Sequence, residues 1–222
     1  MERHVLAVLP HPDDETFGCG GTIHMHARAG TPVTLACGTL GEMGRNMGKP
    51  FFATRETLPD LRERELRAAC AILGIGDLRL LGLRDKTIEF EDREELADRL
   101  LGIIREVRPS LIITHYPGHG VHPDHNALGA ATVRAAARLA APDRPAVHCH
   151  AVTRGREAAL GPADVVEDIR DVWEVKLAAI RAHRSQSEAM MADAEERARG
   201  DPDGYERALA RFMREMFWRY RF

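Results

Sequence analysis

The 222-residue sequence predicts an α/β fold: a Rossmann-like, mostly parallel sheet with helices on both faces, forming a single domain over residues 1–222. Three observations predict it. Short aliphatic and β-branched runs alternate with longer segments at helical spacing, the pattern of a parallel sheet wrapped by helices. No repeat, low-complexity tract or linker divides the chain, and its length suits one core. Two polar motifs each follow directly on an apolar run, where a parallel sheet presents its functional edge.

The elements are justified in order. Val5–Leu9 reads as a buried strand and Glu15–Ala29 as the helix after it. A second strand, Pro32–Cys37, leads into a long loop from Thr39 to Pro59. Leu66, Ala69, Cys70 and Leu73 recur at helical spacing, which predicts a helix over Leu61–Leu73. Leu78–Leu83 reads as a third strand, and Arg93–Val107 as a helix stopped by Arg108-Pro109. Leu111–Thr114 is a fourth strand, followed by an Ala-rich helix over Pro123–Ala140. Val147–Val152 and Val165–Ile169 are further strands. Val172–His183 and Tyr205–Trp218 read as helices, with a solvated helix and turn over Ala189–Gly204.

Composition excludes several classes. Apolar residues make up 44% and charged residues 29%, as in ordinary globular chains. The formal charge of −3 offers no basic footprint for nucleic acid. No apolar run approaches the roughly 18–20 residues that span a bilayer. Val5–Leu9 is too short for a signal-peptide core, so a cytoplasmic location is expected. Cys19, Cys37, Cys70 and Cys149 form no C-x-x-C pair and read as small buried thiols; Cys19 lies beside the first motif.

Chemistry concentrates in Pro10-His11-Pro12-Asp13-Asp14-Glu15 and His122-Pro123-Asp124-His125. Each follows a strand, so both fall on one edge of the sheet. Two imidazoles and a carboxylate (His11, Asp14, His125) leave open positions on a metal, as catalytic centres require, and zinc suits such ligands. Asp13 adjoins a ligand and suits a general base facing an activated water. His122 and Asp124 form a second couple, in which a protonated His122 supports a developing oxyanion. Helix capping by Asp13 or Asp14 accounts for a lone carboxylate but for neither His-Pro pair.

Gly18, Gly20 and Gly21 fit close packing of the first helix better than a phosphate cradle. The long loop holds Glu42, Arg45, Asn46, Lys49 and Arg55, polar groups suited to sugar hydroxyls and carboxylates. Arg62 follows it and can pair with a carboxylate bidentately. His4, His24, His26, His148 and His150 read as structural; His115 and His119 lie on the motif edge with no assigned role.

The two motifs together resemble the zinc-dependent LmbE-like, or PIG-L-type, N-acetylglucosaminyl deacetylases. Supporting matches are Gly41-Glu42, Arg62-x-x-Glu65, Ala71-Ile72-Leu73-Gly74 and a late run from Lys176 to His183-Arg184-Ser185-Gln186. The resemblance implies His11, Asp14 and His125 as zinc ligands, with iron(II) possible in its place. It further implies Asp13 as base, His122 with Asp124 on the oxyanion side, and Arg62 in substrate binding. His183 would come near an active site across a subunit contact, in a homo-oligomer of trimer or hexamer type. Some relatives carry a tyrosine two residues before the first His of the second motif. Gly120 stands there, so no tyrosine role transfers.

Gly41-Glu42-Met43-Gly44-Arg45-Asn46-Met47-Gly48, Phe52-Ala53-Thr54-Arg55-Glu56 and Arg84-Asp85-Lys86-Thr87 are most similar to the second type of bacillithiol-biosynthesis deacetylases. The implied substrate is N-acetylglucosaminyl malate. Deacetylation of another N-acetyl sugar conjugate (mycothiol-type or chitin-derived) stays open from the residues alone. So do a two-His-one-carboxylate iron oxygenase and a non-catalytic sugar-conjugate binding protein.

Overall fold

The computed structural model describes residues 1–45, 51–199 and 209–222. Its elements are β1 (Val5–Leu9), α1 (Asp14–Arg28), β2 (Val33–Cys37), α2 (Leu58–Leu73), β3 (Asp77–Leu80), α3 (Arg93–Val107) and β4 (Leu111–His115). There follow α4 (Pro123–Ala137), β5 (Ala146–His150), α5 (Arg156–Leu160), β6 (Val165–Asp168), α6 (Trp173–Ala182), α7 (Arg184–Ala198) and β7 (Arg214–Arg219).

One seven-stranded sheet has the order β3-β2-β1-β4-β5-β7-β6. β1 to β5 run parallel; β7 is antiparallel to both β5 and β6. β1, β2 and β4 are buried throughout, which is why they read as unbroken apolar runs rather than alternating ones. Alternate residues of β1 feed two cores. Leu6 and Val8 pack with Leu100, Ile104 and Leu128 of α3 and α4. Val5, Ala7 and Leu9 pack with Ile23, Leu66 and Leu73 of α1 and α2. A third cluster joins α6 to Met191, Ala194 and Leu209.

Strand order reverses between β1 and β4, which are neighbours although more than a hundred residues apart in sequence. The loops after both strands therefore share the crevice where such sheets bind ligands.

Local chemistry sets the helix ends. Asp92 caps α3, its carboxylate accepting from Glu94 N and Glu95 N at 2.8 and 2.9 Å. Gly74 closes α2 in the left-handed conformation (φ 82°). α1 breaks at Cys19 (φ −150°), and beyond the break Gly21 N and Thr22 N donate to Glu215 at 2.8 Å each. The buried Lys176 ammonium answers that carboxylate at 2.6 Å. The Gly-rich turn thus holds the chain's own glutamate, and a Cβ on Gly21 would lie 2.6 Å from Ile169, as close packing requires. All four cysteines are free and buried.

Two expectations need correction, and one element was not expected. Tyr205–Trp218 is not a helix: Ala210–Phe212 is a 3₁₀ turn and Arg214–Arg219 is a strand, while 205–208 lie outside the described residues. A short apolar run suits either state, and the vacant edges of β5 and β6 decide it. The third strand ends at Leu80, not Leu83. The short helix α5 has no apolar stripe and escaped prediction. Among the described residues, no helix is long and apolar enough to cross a membrane.

Candidate active site and metal centre

His11 leaves β1 between Pro10 and Pro12, Asp14 opens α1, and His125 lies in the first turn of α4. The three offer donor atoms within 4.8 Å of one another. His11 Nδ1 is 3.5 Å and His125 Nε2 3.4 Å from the Asp14 carboxylate. On its far side, His11 Nε2 meets Asp85 Oδ1 at 3.1 Å and Asp124 Oδ2 at 3.2 Å. An imidazole ligand held by a carboxylate through its other nitrogen is the usual outer support of a metal site.

Electrostatics fit a cation. Burial alone would lower the His11 pKa, yet Asp124, Asp14 and Asp85 push it up to about 11, so the ring without an ion carries a second proton, whose place on Nδ1 a metal would take. Burial takes His125 down to about 4, which keeps it neutral as a ligand must be. Asp14 is held well below the carboxylate range because His125, His11 and His115 outweigh its burial. A nitrogen and carboxylate donor set, with surplus negative charge packed behind it, fits a divalent ion of the zinc or iron(II) type. A second cluster (His11, Asp85, His122, Asp124) is equally tight, but Asp124 is already engaged. Its oxygens accept from Lys86 N at 2.7 Å and Ile88 N at 3.1 Å besides His11.

Asp13 sits at φ 118°, a backbone state costing a non-glycine residue on the order of 1–3 kcal/mol. Its carboxylate faces the cavity and takes Arg62 Nη2 on Oδ2 at 3.0 Å. Burial pushes its pKa up to about 6; Arg62 opposes the shift and Asp14 adds to it. His122 caps α4: its Nδ1 accepts from Asp124 N at 3.2 Å, so the ring hydrogen lies on Nε2. The cavity, about 540 Å³, is lined by His11, Asp13, Asp14, Arg45, Lys86 and His122 among others.

Several expected partners stand elsewhere. Asp124 is fully buried and 3.7 Å from His122 Nδ1; it braces His11 rather than forming a couple with His122. Arg62 lines the cavity, but its guanidinium is engaged by Asp13 and the carbonyls of Pro12 and Gly41, so it orients the carboxylate. Arg55 donates to Glu42 O and Gly44 O, and Glu42 Oε1 accepts from Asp85 N at 2.9 Å; both fasten the loop. His183 is fully buried, bonds Glu15 and is not part of the cavity lining. Asn46 and Lys49 lie outside the described residues. Among the described residues of the loop, Arg45 is the basic side chain that lines the cavity.

Three residues escaped sequence reasoning. Asp85 and Lys86 follow β3, a third strand ending on the same edge, and that edge rule applied to β3 finds them. His115 stacks on His125 at 3.9 Å, with Nε2 3.6 Å from Asp14 Oδ1. It ends β4, and this placement was its signal.

A switch-point crevice carrying this donor set, with the Asp13 carboxylate beside it, marks an α/β protein with a candidate metal centre. The chain belongs to the PIG-L family, whose profile, described as GlcNAc-PI de-N-acetylase, matches residues 6–136. Over its full length it is 54% identical to the probable N-acetyl-alpha-D-glucosaminyl L-malate deacetylase 2 of Bacillus cereus, covering 99% of that protein. It is 55% identical to the protein of the same name in Bacillus subtilis, over 99% of this chain and 98% of the other. Among solved structures, the N,N'-diacetylchitobiose deacetylase of Pyrococcus horikoshii superposes with a TM-score of 0.74 at 25% identity. That match covers 99% of this chain and 84% of the other.

Proposed function

We propose that this chain is a zinc-dependent N-deacetylase that removes the acetyl group of N-acetylglucosaminyl malate in bacillithiol biosynthesis. The observation that carries the reading is Asp13: a cavity-facing carboxylate, outside the ligand set yet adjacent to it in sequence. Mere binding has no use for such a base. The names of the Bacillus relatives supply the substrate.

His11, Asp14 and His125 would hold the metal. A zinc ion there supplies Lewis-acid polarisation of the acetyl carbonyl and acidifies a water. Asp13, its Oδ2 fixed by Arg62, takes the proton of the attacking water and returns it to the leaving amine. His122 donates Nε2–H to the oxygen that gains charge, in the neutral form that its cap bond selects. This replaces the protonated His122 expected from sequence.

Arg45 and Lys86 are the cations left to read the malate carboxylates. Both line the cavity, and among the described residues neither has a carboxylate partner. The test is acetate release by the zinc-loaded protein from N-acetylglucosaminyl malate, N,N'-diacetylchitobiose and a neutral N-acetylglucosaminide. The malate conjugate is expected to have the highest kcat/KM, and Asp13→Ala to abolish turnover. Equal or better turnover of a neutral sugar overturns the substrate, and full activity of Asp13→Ala and Asp13→Asn overturns the base.

A further inference from the structure

Behind Asp13 lies a polar network that the reaction itself does not use. Glu15 is fully buried, and its two oxygens bond different partners. Oε2 accepts from Asp13 N at 2.9 Å, the backbone amide of a residue that, like Lys86 across the cavity, is a non-glycine at positive φ. Oε1 meets His183 Nε2 at 2.5 Å. His183 is also fully buried and stands at the break between α6 and α7.

Two residues on, Ser185 donates from N and Oγ to the Glu65 carboxylate at 2.8 and 2.6 Å. Glu65 lies one turn along α2 from Arg62, which grips Asp13 Oδ2 and the carbonyl of Pro12. The bonds close a ring: Asp13, Arg62, α2, Glu65, Ser185, His183, Glu15 and Asp13 again. A carboxylate and an imidazole kept from water cost free energy, the more so as His183 Nδ1 is buried without a partner, and a sheet-and-helix core needs neither. Their placement is accounted for by what they hold.

We propose that Glu15, oriented by His183, is the positioning residue that keeps Asp13 in its left-handed backbone state and so aims its carboxylate into the cavity. The side chain of Asp13 makes no helix-capping bond that could hold the turn instead. The amide acceptor does that work. It leaves the carboxylate to Arg62 and the cavity, whereas an aspartate in an ordinary cap would spend it on the helix. This inference rests on Asp13 being the base of the proposed reaction, and its test separates the two.

Glu15→Ala and Glu15→Gln are compared with the parent as zinc-loaded, full-length proteins of measured metal content and melting temperature. Glu15→Ala is expected to lose roughly 100-fold in kcat with little change in KM, the cost of an aimed group moved by about 1 Å. Glu15→Gln recovers most of that loss, because its amide oxygen still accepts from Asp13 N. Crystal structures give a readout independent of turnover: Asp13 keeps a positive φ in the parent and the Gln variant, and leaves it in the Ala variant. Parent-like kcat in Glu15→Ala, or an unchanged Asp13 backbone there, overturns the proposal.

If Glu15→Ala does not fold, His183→Ala against His183→Gln decides. The Gln amide reaches Oε1 and preserves kcat, the Ala variant loses it, and parent-like turnover in His183→Ala overturns the proposal. A parent that releases no acetate from any of the sugars defeats the deacetylase reading instead. The inference then stands or falls on the Asp13 backbone in the crystal structures.

Discussion

Arg62 and Asp13 are joined at 3.0 Å in the wall of the cavity, and the same guanidinium is tied to the carbonyls of Pro12 and Gly41. Three acceptors on one planar fork fix both the position and the charge of the carboxylate. Arg62 also opposes the burial that raises the Asp13 pKa. A base works deprotonated, so activity falls as pH drops through its pKa. In Arg62→Met the pKa rises, and the acid limb of the kcat/KM profile is expected at higher pH than in the parent. Arg62→Lys restores the charge but not the fork, so it returns the limb without the full kcat. An acid limb at parent pH in Arg62→Met removes Arg62 from this role.

Asp85 and Asp124 converge on His11 Nε2 at 3.1 and 3.2 Å. Loss of such outer support costs metal affinity about 10–100-fold. Asp85→Asn and Asp124→Asn are each expected to weaken zinc by that order in competition with a chromophoric chelator. Asp124→Asn has the larger effect, because Asp124 also holds the amides of Lys86 and Ile88. Unchanged affinity in both variants would mean that His11 binds the metal without them.

The parts of this arrangement legible in the sequence share a physical cause. β1, β2 and β4 are sandwiched between helices, so their burial shows as uninterrupted apolar runs. The motifs that follow β1 and β4 inherit their position from those strands. Glu15, His183 and Glu65 were illegible as a unit. A buried polar pair has no periodicity, and its members meet only after α2, α6 and α7 have packed around α1. Arg62 looked like a substrate contact because its residue type suits one, but the carbonyls of Pro12 and Gly41 had claimed it. β7 read as a helix because strand pairing, not local spacing, decides it.

Gly120 stands where some relatives carry tyrosine, and the structure gives a steric reason. A Cβ there would lie 2.4 Å from His125 Cβ, far inside contact distance. Gly120→Ala is expected to displace His125 and lower both zinc content and melting temperature. Gly102→Ala is the matched control, since the α3 glycine has open space around the new methyl. It should stabilise the fold by about 0.5–1 kcal/mol through helix propensity, with zinc content unchanged. A Gly120→Ala protein with normal zinc content would mean the loop yields more easily than the packing implies.

His150 ends β5 with Nδ1 buried and unbonded, against the face of Gly18, where a Cβ would come within 2.9 Å of that nitrogen. Burial, reinforced by His115 and Lys176, pushes its pKa down to about 3. An unfolded imidazole titrates near 6.5. Between those limits the unfolded chain binds a proton that the folded chain refuses, so stability falls as pH drops from 6.5 toward 3. A shift of this size is worth on the order of a few kcal/mol at full extent. His150→Leu removes the titration while filling much of the same volume. The urea midpoint of the parent is therefore expected to fall more steeply from pH 6.5 to 4.5 than that of the variant, the gap growing steadily toward acid. Other groups titrate in both proteins and cancel in the difference. Parallel curves would show that His150 takes its proton equally in both states and that the cleft behind Gly18 admits water.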